Sequence, residues 1–255
     1  MNPENLAVID WGVGGLSIIK VLKHLTPSAS YTYVSDSGHP PYGLTSEKDL
    51  IKRTESILSW LSSRGITYTF IGCNTVSTLM HKIKAPAGMT ISGMIPHCQE
   101  LLNSLKAEKT AVFASKRTAE SGIYSLNDKI MQCDVQPLST MIENSSFTVK
   151  DVAKVIKPYM KDLKYKNNIF LGCTHYPAMQ KEFEELLPHV DIINPSEFVA
   201  CWIANNIYSI SGQQTYFCTG DRVKMKNAAE AAFGIKLKIN ALSEQELNGV
   251  NYSLS

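Results

Sequence analysis

The chain lacks any long hydrophobic run. None of its segments approaches the roughly 18 consecutive apolar residues that a membrane-crossing helix needs, so no transmembrane segment and no membrane partner are expected. It also lacks a dominant charge: 25 Lys and Arg stand against 23 Asp and Glu, a net charge of +2, with no long basic tract. Nucleic acid is therefore not an expected partner either. The opening residues, Met1-Asn2-Pro3-Glu4-Asn5, carry neither the positive nor the apolar region of a secretion signal. The six cysteines, Cys73, Cys98, Cys133, Cys173, Cys201 and Cys218, include no Cys-x-x-Cys pair. That spacing excludes the common zinc motifs, and a disulfide framework belongs to shorter secreted chains, so free thiols in a cytoplasmic protein are expected. His97 and Cys98 are adjacent, but two ligands are too few for a metal, and none is expected.

What the sequence does have is alternation. Hydrophobic residues make up 44% and charged residues 19%, as in ordinary globular chains, and 255 residues suffice for one large domain or two smaller ones. Short apolar runs at Leu6–Ile9, Tyr31–Val34, Thr67–Ile71, Thr90–Ile95, Thr110–Ala114, Ile169–Leu171, Val190–Ile193 and Tyr216–Cys218 read as buried strands of a parallel sheet. Between them, Leu16–Leu25, Asp49–Leu61 and Phe147–Leu163 repeat apolar residues at helical spacing, with Pro158 expected to kink or end the last. Thr45-Ser46-Glu47 offers hydroxyls to cap the second helix. The alternation predicts an α/β fold with crossover helices.

An internal repeat is visible. Gly72-Cys73-Asn74-Thr75 follows one predicted strand, and Gly172-Cys173-Thr174-His175 follows another 100 positions later. Ala7-Val8-Ile9 and Ala111-Val112-Phe113 precede them at a similar separation. Two similar α/β halves would present both Gly-Cys turns at strand carboxyl ends, where ligands of open α/β sheets bind.

Four segments could carry chemistry. Asp10-Trp11-Gly12-Val13-Gly14-Gly15 lies between a strand and a helix, where glycines let amides approach a small anion; alone it reads as a tight turn. It is not a complete Gly-x-Gly-x-x-Gly fingerprint, which argues against a dinucleotide. Cys73 stands near a predicted helix start, whose dipole would give it thiolate character, although a lone cysteine is more often a small core residue. Cys173 repeats that placement and adds His175 two residues away, which makes packing a poor explanation for both. Asp36–Gly43, with Pro40 and Pro41, is a stiff loop able to line a ligand.

Taken together, Asp10–Gly15, Pro41–Gly43, Cys73–Val76 and Gly172-Cys173-Thr174-His175-Tyr176-Pro177 resemble the motifs of the glutamate racemase family, in order and spacing. Thr118, Ser121–Tyr124, Glu143 and Thr219-Gly220-Asp221 match further, so the resemblance covers nearly the whole chain. It implies two pseudo-symmetric α/β domains with mainly parallel sheets and an active site in the cleft between them: residues 1–96 completed by 207–255, and residues 97–206. It implies cofactor-independent conversion of L-glutamate to D-glutamate, which supplies bacterial cell-wall precursors. By match, Asp10 would serve Cys73 and His175 would serve Cys173, with Glu143 behind them. Asn74, Thr75, Thr118 and Thr174 would hold the substrate's carboxylate and amino groups, and Trp11, Pro41, Tyr42 and Gly43 would line the pocket. The expected partner is a small amino acid, and family members are often homodimers.

The chemistry suits these residues. Moving a proton from one face of an α-carbon to the other calls for two groups on opposite sides, one starting as thiolate and one as thiol, and a cysteine pKa of about 8.5 is easily tuned by neighbours. Hydroxyls, an amide and backbone N–H groups can stabilise the charge that develops on the substrate.

The chain departs from the family pattern in two places. Trp11 replaces a serine: either the indole enters the cleft, narrowing it and admitting aspartate or another amino acid or weakening turnover, or the loop turns it away into packing. A weak or inactive relative that binds without turnover is the remaining alternative. Pro96-His97-Cys98 replaces a Glu-Pro-Gly type turn near the domain junction. Cys133, Cys201 and Cys218 read as structural thiols, His24, His81 and His189 as surface groups, and Trp60 and Trp202 as packed inward.

Overall fold

The computed structural model describes residues 5–126, 129–207 and 211–249. Met1–Glu4, which entered the reading of the N-terminus, and parts of the 207–255 segment lie outside the described residues. Ten strands run through the rest: β1 Leu6–Asp10, β2 Tyr31–Ser35, β3 Tyr68–Ile71, β4 Thr90–Gly93, β5 Thr110–Ala114, β6 Met131–Asp134, β7 Asn168–Gly172, β8 Asp191–Ile193, β9 Gln214–Cys218 and β10 Ile239–Ala241.

They form two sheets, both parallel throughout. One has the order β10-β9-β2-β1-β3-β4 and the other β6-β5-β7-β8. The run β2-β1-β3-β4 repeats as β6-β5-β7-β8, the duplication that the two Gly-Cys turns announced. In each repeat the chain first steps from the central strand to one side and later returns to the other. The switch points therefore lie between β1 and β3 and between β5 and β7, and crevices open at strand carboxyl ends there. Asp10 and Cys73 stand at the first and Cys173 at the second.

Alternation along β1 shows how the sheet is covered. Leu6 and Val8 face a core shared with the helix Leu16–Leu25, and Ala7 and Ile9 face a separate cluster with Ile57, Leu58 and Leu61 of the helix Glu47–Ser62. The first core runs on into Val112, Phe113, Phe170 and Leu171 of the second sheet, so the two sheets are joined through apolar packing. Each large aliphatic side chain buried there contributes about 1.5–3 kcal/mol. Ser17 and Ser196 add a buried hydroxyl contact of 2.8 Å between the helices Leu16–Leu25 and Pro195–Asn206.

Several expectations need adjusting. The strand read as Thr90–Ile95 stops at Gly93, and a helix runs from Met94 to Asn103. Pro96 is tolerated because it falls in the first turn, where an amide has no intrahelical acceptor. The helix read as Phe147–Leu163 starts at Val149, capped by Thr148 and Asp151, and breaks into a 3-10 turn at Lys157-Pro158-Tyr159. The strands β6 and β10 were not anticipated: Met-Gln-Cys-Asp and Ile-Asn-Ala lack an apolar run, which sheet-edge positions tolerate. Ser46 caps the helix Glu47–Ser62 by accepting from the Asp49 amide at 3.2 Å. Cys201 is exposed rather than packed, and Trp202 is half-buried.

Candidate active site

The carboxyl ends of β1, β3 and β7 enclose a cavity with about 300 Å³ of empty space, part of it open to solvent. Cys73 and Cys173 both line it, together with Asp10, Trp11, Thr174 and His175. Asn74, Thr75, Tyr42 and Gly43 complete the expected set on the wall.

Two expected members are not on that wall. Pro41 instead starts the short turn Tyr42–Leu44, where its carbonyl accepts from the Leu44 amide at 2.8 Å. Thr118 is fully buried behind the wall, its hydroxyl 2.9 Å from Ser115 Oγ and 3.4 Å from Thr75 Oγ1. Ser115, Gln136 and Ser139 line the cavity and were not anticipated. Gln136 and Ser139 follow β6, the edge strand that carried no apolar signal, which is why they escaped notice.

The two thiols have different surroundings. Cys73 caps the short helix Asn74–Ser77 and is 7% exposed. Burial holds its pKa well above the ordinary thiol range, the negative charge of Asp10 adds to that, and the Val76 amide opposes it without prevailing. The expected thiolate character from a helix start is thus reversed, because the helix has only four residues and the thiol is buried. Interaction with Cys173 also raises it, so the two sulfurs sense each other. Cys173 is more open, and its sulfur lies 3.8 Å from His175 Nδ1. His175 Nε2 meets Glu143 Oε1 at 2.8 Å. Burial works to lower the His175 pKa, but its bonds to Cys173 and Glu143 outweigh that and hold it well above the usual imidazole range.

The glycine-rich turn after β1 has a definite task. The Val13 amide donates to Glu143 Oε1 at 2.6 Å, so the small anion at this turn is the protein's own carboxylate. A side chain at Gly12 would collide with Glu143, and one at Gly14 with His175 and Thr174. Asp10 accepts from Thr174 Oγ1 at 2.6 Å and from the Trp11 amide at 2.7 Å, tying the two sheets' loops together.

Trp11 turns toward the cavity. Its ring lies 5.6 Å from the His175 ring, and its Nε1 donates to the His39 carbonyl at 2.8 Å, so the indole forms wall and offers no free donor. Asn74 differs: Tyr124 donates to its Oδ1, and its buried Nδ2 has no partner among the described residues. Tyr42, on the same wall, donates to Asp36 at 2.6 Å, and Asp36 is buried and paired with Arg53. Among the described residues no group of three or more His, Cys, Asp or Glu side chains could hold a metal ion. His97, the other residue of the departure from family pattern, lies between Phe70 and Trp202.

No family model matches the chain. It is 27% identical to the glutamate racemase of Aquifex aeolicus over 203 residues, 76% of this chain and 80% of the relative. It is 26% identical to the glutamate racemase of Carboxydothermus hydrogenoformans over 251 residues, 91% of this chain and 93% of the relative. The chain is similar to glutamate racemases along most of its length.

These relatives make the chain similar to amino-acid racemases, a class of isomerases. Its fold is that of the glutamate racemase from Francisella tularensis solved in complex with D-glutamate, with a TM-score of 0.81, 22% identity, and coverage of 98% of this chain and 100% of that one. Among the described residues no helix is long and apolar enough to cross a membrane.

Proposed function

We propose that the chain interconverts L- and D-glutamate by two-sided proton transfer between Cys173 and Cys73. The observation that carries this is the pair of thiols on one cavity, one beside a cation-forming imidazole and the other kept neutral by burial and Asp10. In the resting state Cys173 is the thiolate, paired with the His175 imidazolium, and Cys73 is the thiol. The Cys173 sulfur takes the α-proton as the Cα–H bond breaks, and its electron pair passes into the bound carboxylate. The Cys73 S–H then delivers a proton to the opposite face, leaving Cys73 as thiolate. Reset, or reaction of the other enantiomer, reverses the two roles.

Asn74 Nδ2 is a ready donor for the substrate carboxylate, since a buried N–H without a partner costs about 1–3 kcal/mol until one arrives. Thr75 adds a hydroxyl on the same wall, and Thr174, whose proton goes to Asp10, can accept from the substrate ammonium. Preorganised donors such as Asn74 Nδ2 lower the cost of charge developing at the α-carbon. Glu143 orients and charges His175, and Trp11 buttresses that ring. The scheme uses only the chain's own side chains. The two sheets with their covering helices correspond to units of residues 1–96 with 207–255 and of 97–206. D-glutamate made this way would enter bacterial cell-wall synthesis.

Circular dichroism or chiral chromatography with L-glutamate, D-glutamate and L-aspartate tests the reading. Racemisation of both glutamate enantiomers is expected, with aspartate slower. Cys73→Ser and Cys173→Ser should each lose at least about 10²-fold, the range of a missing general acid or base. Full activity in either single variant would discard the two-thiol scheme.

A further inference from the structure

We propose that Gln136, supported by Ser139, is the specificity-determining residue that reads the far end of the substrate's side chain through a neutral amide. The inference rests on the racemase reading above and extends it to substrate choice.

Three observations lead there. First, the cavity wall has polar groups that proton transfer does not use: Gln136 and Ser139 are both buried, and both face the cavity. Second, their hydrogen bonds fix the amide. Gln136 Oε1 accepts from the Lys116 amide at 3.3 Å and packs against Gly43, where any side chain would strike it. Gln136 Nε2 donates to Ser139 Oγ at 2.9 Å, and Ser139 Oγ donates in turn to the Gln136 carbonyl at 2.9 Å. An amide nitrogen has two hydrogens, so one remains for a ligand acceptor. Third, the position suits a distal group. Asn74, Thr75 and Thr174 are chain neighbours of the thiols, whereas Gln136 follows β6, two strands across the sheet from β7. Two strand spacings are roughly 10 Å between backbones, and the Gln136 side chain extends back to the cavity that both thiols line, which leaves the remaining gap to the substrate's side chain.

Among the described residues no lysine or arginine side chain lines the cavity, and the imidazole of His175 is tied to Cys173 and Glu143. The side-chain carboxylate is therefore met by an N–H donor rather than by a counter-ion. A site built around a hydrogen bond rejects analogues that lack the acceptor.

The test compares L-glutamate with L-norvaline, which has a similar chain length and no distal acceptor, in the wild type, Gln136→Met and Ser139→Ala. In the wild type glutamate should be favoured strongly. Gln136→Met, unbranched and of similar size, should raise KM for glutamate about tenfold, lower kcat less, and narrow the glutamate-to-norvaline ratio of kcat/KM by about tenfold. Ser139→Ala, which leaves the amide free to swing, should raise KM about threefold and carries the test if Gln136→Met fails to fold by circular dichroism. Unchanged KM and an unchanged ratio in the folded variants, beside an active wild type, would overturn the assignment. A wild type that neither racemises nor exchanges the α-proton of either amino acid would instead overturn the racemase reading and this assignment with it.

Discussion

The turn after β3 and the turn after β7 are built alike and equipped differently. Each follows a buried strand of the same topological position, and each ends in Gly-Cys. Beyond that the likeness stops. Cys73 is enclosed, with a carboxylate as its charged neighbour, and its proton is held. Cys173 is more open and stands at the end of a relay from the Val13 amide through Glu143 and His175. Duplication supplies two thiols in equivalent places, and the proposed mechanism assigns them opposite starting states. A reaction that must begin with one base and one acid needs that asymmetry.

Substitutions in the surroundings can sharpen or break the contrast. The largest effect is expected from Glu143→Gln. Its carboxylate helps raise His175, so its loss lowers the imidazole pKa and the imidazolium disappears at lower pH. The alkaline limb of the pH–rate profile should move down in pH, with kcat reduced about tenfold or more at neutral pH. An unmoved limb would mean that Glu143 does not charge His175. Asp10→Asn should act less strongly and in the opposite half. Removing the negative charge beside Cys73 lets that thiol ionise at lower pH, while burial still holds it up. A loss of about threefold to tenfold in kcat is expected, with Cys73 alkylated by iodoacetamide from a lower pH than in the wild type. Unchanged alkylation of Cys73, followed by mass mapping to separate it from the exposed Cys201, would remove Asp10 from that role.

The sequence revealed the frame of this site better than its detail. Eight strands were legible because their segments carry apolar runs, including the edge strands β4 and β8; β6 and β10, Met-Gln-Cys-Asp and Ile-Asn-Ala, carry polar residues that break the run. The Gly-Cys repeat placed the thiols at strand ends, and the helix Leu16–Leu25 was read with its observed bounds. Charge balance at Cys73 was misjudged, since burial and the approach of Asp10 are tertiary facts that no local pattern carries. Gly12 and Gly14 read as a turn or an anion cradle, and their task proves to be admitting Glu143 and His175 from the other sheet. Gln136 and Ser139 were invisible because they follow β6, which has no apolar run to mark a strand end, and only the tertiary fold brings them to the cavity.

Ultraviolet titration of thiolate absorbance, in the wild type and the two single cysteine variants, tests most directly whether the thiols start in opposite states. The account predicts absorbance at neutral pH that survives in Cys73→Ser and vanishes in Cys173→Ser. Loss of that signal in Cys73→Ser, or its persistence in Cys173→Ser, would contradict it.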